Sequence, residues 1–325
     1  MKSGLREHHR VLLPSTVDGL RLDQALARSL PQYSRSLIKR WIDDGQVTRA
    51  GLALKPRAPV RSGDTIEVVA TLDAAAGLEA QAVDFALAHV DEHVIVIDKP
   101  AGLVVHPGAG NRDHTLINGL LARFPELACL PRAGLVHRID KDTSGLLIAA
   151  RSPAAFQALV RALAARDIHR HYLAVVNGVL VAGGSIDAAI GRDPRSRTRM
   201  RVMPGGRSAV THYRVAERYR AHCLLEVELE TGRTHQIRVH LAWRGYPLVG
   251  DSRYGARPYL PPAADASLRG ALQQFPRQAL HAWRLAFAHP VDGTPLEFEA
   301  PMPADLLDLL AALESDLTEH GSASR

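Results

Sequence analysis

The chain has 325 residues, 46% hydrophobic and 23% charged, which supports a full core and excludes disordered, collagen-like and disulfide-scaffold classes. It carries 40 Lys plus Arg against 34 Asp plus Glu, a net charge of +6, with only five lysines among the bases. Two cysteines, Cys129 and Cys223, argue against a secreted framework or a Cys-rich zinc site. No apolar run approaches a membrane span, and MKSGLREHHRVLLP lacks the apolar core of a signal peptide, so the expected location is the cytoplasm. The arginine skew by itself reads as codon bias, with phosphate contact as the functional alternative. The distribution of charge says more. Residues 1–72 carry 12 bases and seven acids, residues 192–220 carry nine arginines against Asp193 and Glu217, and residues 291–325 are acidic. A clustered basic face creates a local potential for a polyanion.

In chain order, Leu22, Leu26 and Leu30 recur at helical spacing, and Pro31 stops that helix. Ser34 can cap a second helix with apolar positions Leu37, Ile38, Trp41 and Ile42, closed by Gly45. Arg35, Lys39 and Arg40 then lie off its apolar stripe. Extended runs are expected around Val47 and at Thr65–Val69, the second entered through the turn Ser62-Gly63-Asp64. This pattern, RLDQALARSLPQYSRSLIKRWIDDGQVTRAG…RSGDTIEV, resembles the S4 domain, a small RNA-binding module. The resemblance implies that the second helix, with Arg35, Lys39 and Arg40, faces RNA phosphates; the alternative is a solvated basic helix.

Residues 73–80 read as a linker. Beyond it, strands are expected at His93–Ile97, Leu146–Ala149, Leu173–Val176, Ala209–Val215, Leu224–Leu229, Gln236–His240 and Leu296–Glu299, and helices at Thr115–Arg123, Pro153–Ala165 and from 304 onward, before a disordered Ser-rich end. Strands outnumber helices without tight βαβ alternation. The expected fold class is therefore α+β: a mostly antiparallel mixed sheet in a domain spanning 84–310, beside a small α+β domain at 17–75.

Five stretches could carry chemistry. VIVIDKPAGLVVHPGAG (94–110) has glycines but no phosphate-loop pattern, and reads as backbone shaping. AGLVHRIDKDTSGLLIAARS (133–152) is expected to run as an alternating strand, with Leu135, His137 and Ile139 opposite Val136, Arg138 and Asp140. It would hold Asp140 where strand meets loop, a position that by itself reads as an Asx turn, with a catalytic carboxylate as the alternative. In IHRHYLAVVNG (168–178), Tyr172 leads an apolar strand and by itself reads as a half-buried core residue, with a catalyst as the alternative. Between 192 and 207, six arginines face only Asp193 in a segment that prolines and glycines break into loop. In LETGRTHQIRVHLAWRGYPLVGD (229–251), a strand would point Gln236, Arg238 and His240 to one face. His235 and His240 would then be poor joint metal ligands. Arg233 and Arg238 suit carboxylate or phosphate partners, and a buried Arg238 needs a counter-charge for which Asp140 is a candidate.

Eight motifs in order, DKPAGLVVHPGAG, GLVHRIDKDTSGLL, HYLAVV, GRDPRSRTRM, VTHYRV, ETGRTHQIRVHLA, YPLVGDSRYG and RQALHAWRLAFAHP, resemble the RluA/RluD family of RNA pseudouridine synthases. The resemblance runs from about residue 17 to about 302 and is closest to the RluD-like branch, which modifies large-subunit ribosomal RNA. One departure is Ile139 where the family usually has Leu, a volume-conserving exchange. The resemblance implies that Asp140 is the catalytic nucleophile, that Arg138 flips or holds the nucleotide, that Tyr172 stacks on the base and assists proton removal, and that Arg238 pairs with Asp140. Substrate contacts are expected as well from Arg233, as a phosphate partner, and from Arg195, Arg197 and Arg199, whose crowded like charges call for a polyanion. No cofactor or metal is required, and the partner is large-subunit ribosomal RNA, in pre-ribosomal particles, met by a monomer. Competing readings are a transfer-RNA enzyme of the same family, an S4-type protein that only binds RNA, and a metal-dependent nuclease, which would need carboxylates clustered near histidine.

Overall fold

A computed structural model describes residues 5–30, 33, 35–72, 78–108, 110–196, 198–255 and 258–321. Pro31, Ser34, Arg197, most of the expected linker and the last four residues lie outside these. The chain divides into two compact units: Met1–Leu78 with Phe124–Gly134, and Glu79–Arg123 with Leu135–Arg325.

In the first unit, strand β1 (Leu5–Leu12) precedes α1 (Leu22–Ser29), α2 (Arg35–Asp43), β2 (Val47–Arg49), β3 (Leu52–Ala53) and β4 (Thr65–Leu72). The helical stripes read from the sequence do form the core: Leu22, Leu26, Ile38, Trp41 and Ile42 pack with Val47, Ile66 and Val68. The sheet order is β1-β4-β2-β3. The sequence reading gave β1 no element, because its alternation is weak and its stability comes from antiparallel pairing with β4, Leu5 opposite Leu72. Arg35 turns inward along the unit's surface: its Nη2 lies 2.7 Å from Asp23, which also takes Arg21. Lys39 pairs with Asp43 at 3.0 Å, and Arg40 is exposed.

The second unit contains β5 (Ala86–Val90), β6 (Val94–Lys99), α3 (Leu116–Arg123), β7 (Ser144–Ala150), α4 (Pro153–Ala165), β8 (His169–Asn177), β9 (Gly184–Asp187), β10 (Ile190–Arg192), β11 (Met200–Val202), β12 (Val210–Arg218), β13 (His222–Leu229), α5 (Gln236–Trp243), α6 (Ala266–Gln274), β14 (Leu280–Ala288), β15 (Pro295–Glu299) and α7 (Ala304–Gly321). The large sheet runs β5-β6-β7-β14-β8-β13-β12-β9, with β15 on β14. Among the described strands only β7 and β14 pair in parallel, so the sheet is mixed and mostly antiparallel, as the sequence leads one to expect. All seven residues of β7 are buried, as in a strand covered on both faces. One side of the sheet packs on α4 through Phe156 and Leu159, and α6 and α7 add a second cluster through Leu268, Leu272, Leu306 and Leu309. Among the described residues, no helix is long and apolar enough to cross a membrane.

Two expected strands are absent. Residues 236–240 form helix α5, with Gln236 through Leu241 all buried. The alternating hydropathy there is not alternating burial. Gln236, Arg238 and His240 are polar residues buried with partners, and a short, wholly buried helix cannot be told from a strand by period alone. The segment before Asp140 makes only an isolated bridge, Leu135 to Ala149. His137 Nε2 accepts the Ile148 N–H at 3.2 Å, so a side chain replaces a ladder carbonyl and the chain leaves the sheet. Leu135, Val136 and Ile139 are all buried, so the two faces of the run do not separate.

Candidate active site

Asp140 lies on the loop between that irregular segment and β7, and the loop is tied down along its length. Lys99, with no exposed surface, donates from Nζ to the carbonyls of Lys141 (2.8 Å), Pro100 (2.7 Å) and Leu103 (3.0 Å). Burial drives its pKa down to about 7 against the pull of Asp142, yet three carbonyls match the three hydrogens of the charged form. Arg277 donates to the Asp142 carbonyl, and Gln278 to the Thr143 hydroxyl. Gly145 then enters the parallel pairing at φ +106°, where a Cβ would stand 2.1 Å from the Ala282 carbonyl oxygen. Only glycine lets the loop join the sheet there. The DKP segment is thus backbone shaping, as read from the sequence, but Lys99 is its agent and was overlooked.

Asp140 Oδ2 accepts from Arg238 Nη1 at 2.8 Å. Arg238 projects from α5 and is itself clamped by Asp251, whose two oxygens accept from Nε and Nη2 at 2.8 and 2.9 Å. Burial would raise the Asp251 pKa, but the bonds and charge of Arg238, with the Arg253 and Tyr254 backbone amides, hold it below the usual range. Burial likewise opposes the charged form of Arg238, and the two carboxylates outweigh it. The expected counter-charge is therefore present, with a second, fully buried one that sequence reading missed. The requirement that a buried guanidinium saturate its fork, and the Gly-Asp of YPLVGDSRYG, were the available signals.

Tyr172 stands on β8, 5% exposed, and burial pushes its phenol pKa up, Arg170 opposing and Asp140 adding to the shift. His235, at φ +56° ahead of α5, bonds through Nδ1 to the Tyr254 hydroxyl at 2.7 Å, and its Nε2 is 3.9 Å from Asp140 Oδ1. The Tyr254 hydroxyl also accepts from Met200 N–H, and the direction of its bond with His235 follows from which nitrogen of the neutral ring carries the proton. Burial lowers the His235 pKa, which favours that neutral ring.

One pocket gathers Arg138, Asp140, Tyr172, Arg233 and Arg238. Arg138 is exposed, and Arg233 Nε donates to the Ser208 carbonyl at 3.0 Å. The other candidates are elsewhere. Arg195 and Arg199 are exposed on the connection between β10 and β11, where the Arg199 guanidinium sits 5.4 Å from the Tyr254 ring centre. That ring lies 5.1 Å from the Arg238 guanidinium as well. Arg35, Lys39 and Arg40 belong to the first unit. His235 and His240 make no metal pair: His240 bonds to the Thr211 hydroxyl and the Ala188 carbonyl.

Two family patterns match this chain, RNA pseudouridylate synthase over residues 93–243 and the S4 domain over residues 20–66. The Ribosomal large subunit pseudouridine synthase D of Xanthomonas campestris pv. campestris is 50% identical over 325 residues, covering 100% of this chain and 97% of that one. The protein of the same name from Pseudomonas aeruginosa is 49% identical over 304 residues, 94% of this chain and 95% of that one. The solved structure of Human RNA Pseudouridylate Synthase Domain Containing 4 aligns with a TM-score of 0.55 at 25% identity, covering 70% of this chain and 92% of that one. With such identity held over its whole length, this chain belongs to the RNA pseudouridylate synthase family.

Proposed function

We propose that the protein isomerises specific uridines of large-subunit ribosomal RNA to pseudouridine, with Asp140 as nucleophile, Arg238 as its partner, Tyr172 against the base and Arg138 holding the flipped nucleotide. The single observation that carries the site assignment is the 2.8 Å pair of Asp140 with a guanidinium already anchored on Asp251, in the pocket that Tyr172 lines. The relatives' names support large-subunit RNA as the substrate, and the match to the S4 domain supports RNA contact by the N-terminal residues. We assign RNA binding to residues 17–75, with Arg35, Lys39 and Arg40, and catalysis to residues 84–310, with Arg195, Arg197, Arg199 and Arg233 gripping phosphates. The protein acts as a cytoplasmic monomer on pre-ribosomal particles.

The chemistry follows from the layout. A uridine in a helix hides its glycosidic bond, so it must leave the stack to enter the pocket. There the Asp140 oxygen that Arg238 does not hold is free to act on the sugar. The aromatic ring of Tyr172 keeps the detached base in place while it turns from N1 to C5. Once C5 has joined C1′, its proton is lost and N1 gains one, which restores aromaticity with no net change in composition. The test is a strain lacking the gene. Its large-subunit RNA should miss particular pseudouridines, restored by the wild-type gene but not by one carrying Asp140→Asn. A complete set of pseudouridines in that RNA, with some missing from transfer RNA, would overturn the substrate.

A further inference from the structure

Three arginines are buried among the described residues: Arg170, Arg238 and Arg277. Two have carboxylates. Arg238 holds Asp140 and Asp251, and Arg277 donates through Nε and Nη2 to Asp305 at 2.6 and 2.8 Å. Arg170 has none among the described residues. Its Nη2 donates to the Leu229 carbonyl at 3.2 Å, and its buried Nε has no hydrogen-bond partner. A guanidinium cannot shed its charge as a lysine can, so burial at 6% exposure without a counter-ion is unfavourable in the free protein. Such a charge is retained where an anion arrives.

Its position says where that anion forms. Arg170 and Tyr172 are two apart on β8, so both side chains leave the same face of the strand, and both line the pocket that holds Asp140. Gly232 lines the same pocket beside the guanidinium: a Cβ there would stand 2.9 Å from Arg170 Nη1. Arg138 and Arg233, more exposed along the same pocket, suit backbone phosphates; Arg170 is too deep for them.

We propose that Arg170 binds the uracil anion produced within the reaction, resting on the assignment of the pocket to uridine isomerisation. When the C1′–N1 bond breaks, its electron pair stays on N1, and the ring carries one negative charge shared with its carbonyl oxygens. This holds whether Asp140 bonds to C1′ or takes the C2′ proton. The guanidinium hydrogens meet that charge and transfer no proton. The charge disappears when C5 gives its electrons to C1′, which either displaces the Asp140 carboxylate from C1′ or is matched by return of the proton from Asp140 to C2′; the C5 proton then leaves and N1 is protonated. Arg170 thus favours the separated state over bound uridine, which is the differential interaction that accelerates a step.

The test compares wild type, Arg170→Met, Arg170→Lys and Asp140→Asn on one uridine-containing ribosomal RNA fragment and on its 5-fluorouridine counterpart. Single-turnover consumption of the target nucleotide, RNA affinity and thermal midpoint are read for each. Arg170→Met is expected to slow uridine consumption about 10²–10³-fold, with RNA affinity within about twofold, since the interaction arises after binding. Its thermal midpoint should not fall, because it removes an unpaired buried charge. Arg170→Lys should recover part of the rate. Fluorine stabilises the departing anion, so the Arg170→Met deficit should shrink on 5-fluorouridine. A wild-type rate for Arg170→Met overturns the proposal. So does a lowered thermal midpoint with equal deficits on both substrates, which denotes packing, or a loss confined to affinity, which denotes a phosphate contact. If Asp140→Asn is dead and Arg170→Met is normal, only this inference falls. If the wild type forms no pseudouridine in any RNA offered, the functional assignment falls and takes this inference with it.

Discussion

At the scale of single residues, the site is a chain of charges of graded burial: Asp140 at 18% side-chain exposure, Arg238 at 8% and Asp251 at 0%. The gradient separates chemistry from architecture. Asp140→Asn keeps size and one hydrogen bond to Arg238, and should leave folding nearly intact while lowering pseudouridine formation by several orders of magnitude. Asp251→Asn strips the bidentate partner from a buried guanidinium and should cost about 3–5 kcal/mol of stability as well as activity. Denaturant unfolding of both variants, paired with turnover, checks the order. A larger stability loss in Asp140→Asn than in Asp251→Asn would mean that the division of labour is reversed. Asp140 and Arg238 were legible in the sequence because a polar residue amid an apolar run demands a reason. Asp251 was not, because a carboxylate beside glycine in a loop looks like a turn until something buried bonds to it.

Elements respond to pH through what they enclose. His222 opens β13 with no exposed surface, and neither ring nitrogen has a hydrogen-bond partner among the described residues. Burial lowers its pKa to about 4, with Asp316 pulling weakly the other way. In the unfolded chain the imidazole titrates near its ordinary value, about 6.5. Between those values the unfolded state binds the proton that the folded state refuses, so stability falls as pH drops through this window, by roughly 3 kcal/mol in full. His222→Phe should remove that part of the acid sensitivity; identical unfolding free energy profiles between pH 7 and 4 would contradict it. The sheet has a second dependence of this geometric kind at Gly145, where β7 starts beside β14. Gly145→Ala should cost several kcal/mol from left-handed strain and the 2.1 Å approach to Ala282. A thermal midpoint equal to wild type would mean the loop has another way into the sheet.

Over the whole molecule, basic side chains outside the pocket set the grip on RNA. Their states differ. Arg35 and Lys39 already have acidic partners in Asp23 and Asp43, whereas Arg195 and Arg199 are exposed on the β10–β11 connection. Replacing Arg195 and Arg199 together by Ala should lower the slope of log affinity against log salt by about 1.4–1.8, if each meets one phosphate. Replacing Arg35, Lys39 and Arg40 should lower it by up to about 2–3, less where an internal partner competes. Turnover on a short stem-loop should suffer less than turnover on long RNA in both sets. Unchanged slopes would mean that these clusters do not touch the RNA.

The sequence by itself determined the α+β class, the two helices of the first unit, most strands of the large sheet and the identity of the Asp140–Arg238 pair. The elements rest on local periodicity; the pair rests on the motifs that carry the family resemblance, since neither Asp140 nor Arg238 stands on the strand that periodicity predicts. Tertiary structure alone decided that QIRVHL is helical, because six buried residues erase the period that distinguishes helix from strand. It alone paired β1 with β4 across more than fifty residues, gave Arg238 its second carboxylate, and left Arg170 buried without one among the described residues. Each is a question of which groups meet far apart in the chain, and charge balance inside a protein is settled by that meeting rather than by sequence neighbours.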